Sequence, residues 1–166
     1  MGNYYFDASA IVKRYAVETG TAWIRQLCTV QSTDASDRLH VIFVGEISRV
    51  EVAEALTQKA KRTREITEQD ADDAIKLFVN HLDAEYQVVL LTSELIRAAA
   101  MLAQQHALRA YDAVQLAAVL RANSLLEANG LSLTFVSGDA NLLQAAHAEG
   151  LTTENPFEHS DLDAVN

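Results

Sequence analysis

The chain has 166 residues, enough to bury a substantial core as one domain without the disulfides on which shorter domains depend. Cys28 is the only cysteine, which excludes an internal disulfide and a multi-cysteine zinc site and is typical of the reducing cytoplasm. The 23 acidic and 13 basic residues give a formal charge of −10, which excludes nucleic-acid binding through the whole surface. Because no apolar run reaches the roughly 18 residues of a membrane span, we expect a soluble, cytoplasmic protein with no membrane segment.

Strands and helices alternate in the first half of the sequence. The predicted elements are, in order, a strand at 3–6, helices at 10–15 and about 20–30, a loop at 31–39, a strand at 40–44 and a helix from Ser48 to about Arg64. The long helix is predicted because Val52, Leu56 and Ala60 recur on one stripe.

The second half continues the alternation. Its predicted elements are a helix opened by Thr67, a strand at 87–91, helices from Thr92 to about His106 and from Ala110 to about Leu126, a strand at 131–136, a helix at about 141–148 and a strand at 151–153. Thr67 and Asp70 have the spacing of a capping box. This order predicts right-handed crossovers and a central parallel sheet covered on both faces, which is an α/β fold built as a three-layer α/β/α sandwich.

Four acidic residues each lie beside an apolar run. They are Asp7, Glu51, Asp112 and Asp139. Because the carboxyl ends of parallel strands form the ligand-binding edge of such sheets, we expect these carboxylates to converge there. Convergent carboxylates repel one another unless a hard cation such as Mg²⁺ or Mn²⁺ lies between them. Ser9 and Ser137, each two residues from one of these acids, are expected to orient a carboxylate or a metal-bound water.

Each acid also has a simpler structural interpretation. Asp7 and Asp139 have the position of helix N-caps, and acidic residues in a first helical turn favour the helix dipole. The second acid is ambiguous, because Glu46, Glu51 and Glu54 all lie near the start of one helix. The combination of four segments, and not any single one, favours the metal site.

At this point the sequence resembles a known family. Four segments are similar to the four motifs of the PIN domain, in the family's order: Phe6-Asp7-Ala8-Ser9-Ala10-Ile11-Val12-Lys13, Glu51-Val52-Ala53-Glu54-Ala55-Leu56, Ala110-Tyr111-Asp112-Ala113-Val114-Gln115-Leu116-Ala117 and Phe135-Val136-Ser137-Gly138-Asp139. The resemblance spans roughly residues 3–156 and is nearest to the VapC-type ribonuclease toxins. Within it, Glu51 matches the second motif better than Glu54 does.

The resemblance implies one PIN-like domain over residues 1–166 with Mg²⁺-dependent endoribonuclease activity. The implied metal and catalytic residues are Asp7, Glu51, Asp112 and Asp139. It further implies a homodimer and a small antitoxin partner whose tail blocks the acidic groove. A catalytically inactive PIN-like binding or scaffold module is the alternative, and the negative charge favours it.

A group of basic residues, the basic cluster, is a candidate for RNA contact despite the overall charge. It consists of Lys59, Lys61, Arg62 and Arg64. Cations at the end of a helix are equally typical of a solvated surface that complements the helix dipole. Arg109 is expected either to pair with Asp112 or to contact a phosphate group.

Overall fold

The computed structural model describes residues 2–29 and 40–165, and in these residues five strands form one sheet. The strands are β1 (Gly2–Phe6), β2 (His40–Gly45), β3 (Gln87–Val89), β4 (Thr134–Val136) and β5 (Thr152–Glu154). They lie in the order β3-β2-β1-β4-β5, and every neighbouring pair is parallel. The predicted parallel sheet is therefore confirmed.

Helices connect successive strands. They are α1 (Ala8–Ile11), α2 (Thr21–Cys28), α3 (Ser48–Gln58), α4 (Glu68–Ala84), α5 (Ser93–His106), α6 (Ala110–Glu127) and α7 (Ala140–Ala148). Short 3-10 segments cover Val12–Arg14 and Pro156–Val165, and a π-helical turn covers Lys59–Thr63. Within the two described ranges, none of these helices has the length and apolar character needed to traverse a bilayer.

Two hydrophobic cores lie on opposite faces of the sheet because successive side chains of a strand point in opposite directions. Phe6 belongs to the core formed with α1 to α4, whereas Tyr5 belongs to the core formed with α5 to α7. In β4 the neighbours Val136 and Phe135 divide in the same way. The alternation confirms the three-layer α/β/α sandwich.

The strand order reverses at β1. The chain passes from β1 to β2 and β3 on one side, and then returns to place β4 on the other side of β1. The crossovers before and after this point diverge, which leaves a crevice at the carboxyl ends of β1 and β4, the usual ligand site of an open α/β sheet. The backbone N–H of Asp7 donates to the carbonyl of Val136 at 3.2 Å, so Asp7 lies directly beside the end of β4.

Several predicted boundaries differ from the structure. The helix predicted to reach Arg64 changes to π-helical hydrogen bonding after Gln58, and it ends at Arg64, which has a left-handed φ of 56°. The strand predicted at 87–91 ends at Val89, because Val89 pairs with Gly45, the last residue of β2. The strand predicted at 131–136 begins only at Thr134. The loop predicted at 31–39, and the end of the helix predicted near residue 30, lie outside the described residues.

The 3-10 segment Pro156–Val165 was not predicted, and it packs against α2. Gly20 occupies the N-cap position of α2 and has no side chain with which to cap it. Asp163 takes that role, since its carboxylate accepts from the N–H groups of Gly20 at 2.5 Å and Ala22 at 2.9 Å. The rings of Trp23 and His159 stack with centroids 3.9 Å apart.

Candidate metal centre

Asp7 is buried at the carboxyl end of β1. It is the N-cap of α1, and its Oδ1 accepts from the backbone N–H of Ala10 at 2.8 Å and from the Ser9 hydroxyl at 2.7 Å. Its Oδ2 accepts from the Ser137 hydroxyl at 2.6 Å. The pKa of Asp7 is raised to about 6. Burial is the main cause and the charge of Asp112 acts in the same direction, whereas the hydrogen bonds from Ser137, Ser9 and Ala10 oppose the increase.

Ser9 and Ser137 join the ends of β1 and β4. Each donates to Asp7, while Ser9 Oγ accepts from the N–H of Gly138 at 2.7 Å and Ser137 Oγ accepts from the N–H of Asp139 at 3.0 Å. Both hydroxyls are therefore used as donor and acceptor, which fixes the orientation of the Asp7 carboxylate. Both serines contact the Asp7 carboxylate, as we expect for residues that orient it, and Asp7 also caps α1.

Glu51 approaches the same place from α3. It is half-buried, and its Oε2 accepts from the Gln115 amide at 2.6 Å. The pKa of Glu51 is raised to about 7. Burial is the main cause and the charges of Asp7 and Asp112 act in the same direction, whereas the Gln115 hydrogen bond opposes the increase. Partial desolvation among other acids makes the ionised form of a carboxylate unfavourable, and a bound cation offsets that cost.

Gln115 is a residue of this site to which the sequence analysis assigned no role. It is 1% exposed, and its amide nitrogen also donates to Ser48 Oγ at 3.0 Å. The Tyr5 hydroxyl donates to Gln115 Oε1 at 2.7 Å and so fixes which end of the amide faces Glu51. A Cβ atom at Gly45 would lie 2.6 Å from the Tyr5 hydroxyl oxygen, so only glycine leaves room for this arrangement. The available signal was a glutamine on an otherwise apolar face of α6.

Asp112 and Asp139 complete a group that we call the acidic edge, consisting of Asp7, Glu51, Asp112 and Asp139. Burial and the charge of Asp139 raise the pKa of Asp112, whereas the charge of Arg109 lowers it. Asp139 is the N-cap of α7, and its Oδ1 accepts from the N–H groups of Asn141 at 2.8 Å and Leu142 at 3.0 Å. The structure thus brings all four predicted acids into one electrostatic neighbourhood.

The donor chemistry of the acidic edge fits a hard divalent cation. In residues 2–29 and 40–165, no three acidic, histidine or cysteine side chains already converge as ligands of one ion. Mg²⁺ does not require that many, because one or two carboxylates commonly hold it while water and substrate phosphate complete its coordination. Burial is the main cause of the raised pKa values of Asp7 and Glu51, and a bound cation would lower both.

The other two glutamates near the start of α3 differ from Glu51 in their surroundings. Glu54 is exposed and accepts from the Gln58 amide at 3.1 Å. Glu46 accepts from the N–H of Leu91 at 2.8 Å and so holds the chain after β3. The geometry therefore favours Glu51 as the acid that faces the site, and its role as a ligand stays a prediction.

The basic cluster lies at the end of α3, and its members have different environments. Lys59 is mostly buried and bridges Glu18 at 2.6 Å and Glu65 at 2.7 Å. The Lys61 side chain is 62% exposed, and Arg62 donates to the Gln58 amide oxygen at 2.7 Å. Arg64 is exposed, as is Arg109 at the N-cap of α6. RNA contact by these five residues stays a prediction. Lys59 is the weakest candidate, because its charge is the least accessible of the five.

Two known ribonucleases are similar to this chain over most of their length. Ribonuclease VapC45 of Mycobacterium tuberculosis (strain CDC 1551 / Oshkosh) is 34% identical over 146 residues, which cover 88% of this chain and 90% of the relative. Ribonuclease VapC49 of Mycobacterium tuberculosis (strain ATCC 25618 / H37Rv) has the same identity and coverage. No protein-family model matches the chain.

Two solved structures have the same fold. VapBC2 from Rickettsia felis, bound to a DNA fragment from its promoter, aligns with a TM-score of 0.55 and 11% identity, covering 92% of this chain and 98% of the solved chain. PAE2754 from Pyrobaculum aerophilum aligns with a TM-score of 0.53 and 18% identity, covering 98% of this chain and 96% of the other. At these identities the likeness concerns the fold alone.

Proposed function

This chain belongs to the VapC family of PIN-domain ribonucleases, and we propose that it is the endoribonuclease toxin of a toxin–antitoxin pair with a Mg²⁺ site at its acidic edge. Mn²⁺ is an alternative occupant, since both ions prefer oxygen ligands. The single observation that carries the proposal is the convergence of carboxylates with raised pKa values at the crevice between β1 and β4.

The roles proposed for the acids follow from how each is held. Asp7 has the most rigid carboxylate, because three hydrogen bonds orient it, and we assign it as the first metal ligand. Asp112 and Glu51 share its electrostatic neighbourhood and are assigned as further ligands. Asp139 acts mainly on Asp112, because its Oδ1 is already used to cap α7.

The reaction is hydrolysis of an RNA phosphodiester bond by water. A bound divalent cation supplies Lewis acidity toward a phosphoryl oxygen and lowers the pKa of bound water. Ser9 and Ser137 keep the Asp7 carboxylate in place, and Gln115 does the same for Glu51. Since protonation competes with the cation, the pKa values of about 6 for Asp7 and about 7 for Glu51 predict loss of activity on acidification.

The proposal also covers partners. A VapC ribonuclease of a toxin–antitoxin pair has a cognate antitoxin, and we propose such a partner for this chain together with a homodimeric assembly. Apolar side chains on α5 and α6 offer surface for either contact, since Met101 is 71%, Ile96 44% and Leu125 60% exposed. The mass of the purified chain in solution tests the homodimer, and the binding stoichiometry with the antitoxin tests the complex.

The direct test is cleavage of a structured RNA pool by the wild type and by Asp7→Asn, each with Mg²⁺, Mn²⁺ or EDTA. We expect metal-dependent cutting by the wild type and none by the variant. Cutting that survives in EDTA would contradict the metal site, and wild-type activity in Asp7→Asn would contradict the assignment of Asp7.

A binding or scaffold module without turnover is the second candidate, and the formal charge of −10 favours it. Absence of cleavage by the wild type in every metal condition, with retained binding to a protein partner, would support that alternative.

A further inference from the structure

A cavity of about 350 Å³ lies beside the acidic edge. Ser9, Gly138 and Asp139 form one side of it, and these residues also build the junction between β1 and β4. Lys13 and Phe157 line it as well. A group bound in this cavity is therefore a direct neighbour of any phosphate held at the acidic edge.

The Phe157 ring is held firmly and remains accessible. The Nζ atom of Lys13 lies over the ring, 4.1 Å from its centroid. A Cβ atom at Gly138 would lie 2.9 Å from Cε2 of Phe157, so the glycine lets the ring edge approach the backbone. The N–H of Phe157 donates to Asn155 Oδ1 at 3.0 Å. Even so, the side chain is 47% exposed, so part of the ring remains available to a ligand.

Lys13 is a built part of this cavity. It is 1% exposed, and its ammonium pairs with Glu18 at 2.8 Å while contacting the Phe157 ring. Glu18 also pairs with Lys59 at 2.6 Å, so the cavity adjoins the first residue of the basic cluster. The bonds from Lys13 and Lys59 lower the pKa of Glu18, although burial acts in the opposite direction. The ring is thus held by a fully paired charge network.

We propose that Phe157 is the stacking platform for an unpaired base of the RNA substrate, adjacent to the phosphodiester bond that is cleaved. This inference rests on the proposed function and adds a specificity-determining subsite to it. Aromatic side chains beside single-stranded RNA commonly stack on bases, because every base has a π face. One face of this ring is covered by Lys13, so a base takes the opposite face.

The walls of the cavity favour a base over an apolar peptide side chain. Glu18 and Asp139 contribute carboxylates to the lining, and a base offers N–H donors at its edge together with its π face. An apolar side chain would cover those polar atoms without replacing their contacts with water, which is costly. Docking of an antitoxin peptide at Phe157 is the competing occupancy that the experiment must distinguish.

The test compares Phe157→Leu with Phe157→Trp and Phe157→Tyr. Leucine keeps an apolar side chain but removes the π face, whereas the other two keep it. The probes are a short random-sequence single-stranded RNA pool for cleavage and an RNA containing 2-aminopurine, whose fluorescence is quenched by stacking. We expect Phe157→Leu to raise KM roughly 5- to 100-fold with little change in kcat, and to abolish quenching. Phe157→Trp and Phe157→Tyr should retain quenching and shift the mapped cleavage positions.

Trp23→Leu is the matched control. It loosens the 3-10 segment from its far side, where Trp23 stacks on His159, and leaves the Phe157 ring intact. Equal effects of Trp23→Leu and Phe157→Leu on KM and quenching would overturn the proposal, since they would indicate a role in docking the segment. Unchanged RNA parameters in Phe157→Leu would overturn it too, including when antitoxin affinity falls. Quenching by a wild type that does not cleave would support the subsite and contradict the proposed nuclease function.

Discussion

The acidic edge and the basic cluster are both groups of like charges, but ionisation has opposite effects on folding at Asp7 and at Lys59. At the acidic edge, burial and mutual repulsion raise the pKa values of Asp7, Glu51 and Asp112, so ionisation there opposes folding. In the basic cluster, burial alone would lower the pKa of Lys59, but Glu18 and Glu65 raise it. Ionisation of Lys59 therefore favours folding.

This difference separates charges kept for a ligand from charges kept for the fold. A protein retains an unfavourable cluster of carboxylates when something outside the chain compensates it, whereas a paired cluster is already compensated. This criterion supports the proposal that the acidic edge is the binding site and that Lys59 belongs to the scaffold beside it. The predictions below test the contrast, beginning with the largest expected effect.

Glu51 and Glu54 provide a matched pair on α3, because Glu51 is half-buried and feels the charges of Asp7 and Asp112, whereas Glu54 is exposed. We expect Glu51→Gln to reduce RNA cleavage by more than the roughly 10- to 100-fold that loss of a residue merely supporting a ligand typically costs. Glu54→Gln should leave cleavage near the wild-type rate, because Glu54 is exposed and accepts a hydrogen bond from the Gln58 amide, outside the acidic edge. Initial rates on one RNA pool at saturating Mg²⁺ give the comparison. The reverse order of effects would make Glu54 the second acid.

Gln115 tests whether the acidic edge depends on its supports. Gln115→Leu removes the donor to Glu51 and leaves the Tyr5 hydroxyl without its acceptor. We expect Mn²⁺ affinity, measured by calorimetry, to fall by about 10- to 100-fold.

Phe135→Leu is the control for Gln115→Leu, because Phe135 packs against the Tyr5 ring and its side chain has no hydrogen-bonding group to offer Glu51. A loss of thermal stability in both variants, with unchanged Mn²⁺ affinity, would limit Gln115 to a structural role.

Asp7→Asn tests the unfavourable charge itself. Because the folded-state pKa of about 6 lies above the ordinary 3.8, the associated stability is present at low pH and is lost as pH rises through about 6. In EDTA at pH 8 we expect Asp7→Asn to exceed the wild type by about 1–3 kcal/mol in free energy of unfolding, and the gain should disappear near pH 4. Urea unfolding at both pH values measures it. A variant less stable than the wild type at pH 8 would mean that the hydrogen bonds of the carboxylate outweigh its desolvation.

Lys59 and Lys61 test the other side of the contrast. Lys59→Gln breaks contacts of 2.6 Å and 2.7 Å to two glutamates, and we expect a loss of about 1 kcal/mol in stability. Lys61→Gln should change stability by less than about 0.5 kcal/mol, since its contact with Glu68 is 3.9 Å long and exposed. Chemical denaturation in low and high salt measures both. Equal effects would remove the distinction within the basic cluster.

The parallel sheet was predictable because it depends on periodicity and on alternating elements, which are local properties. The capping box of Thr67 and Asp70 was predictable for the same reason, and the structure contains it. By contrast, the end of the strand at Val89 depends on where its neighbour β2 ends, at Gly45, which no local pattern around Val89 specifies.

The candidate site was only partly accessible to sequence reasoning. The four acids stand out because each interrupts or follows an apolar run, and the structure places them in one neighbourhood. Gln115 and Phe157 were not given roles, because their significance comes from contacts with residues far away in the chain. Tyr5 and Gln115 are 110 positions apart, and the ring of Phe157 meets Lys13.

The central position of β1 in the sheet has a consequence for synthesis. Asp7 is made before the residue that orients its Oδ2, because that hydroxyl belongs to Ser137, 130 positions later in the chain. A growing chain therefore lacks the hydrogen bond to Asp7 Oδ2 until β4 has been made and has paired with β1. If the acidic edge cuts RNA as proposed, we expect this order of assembly to delay completion of the site until most of the polypeptide has been synthesised.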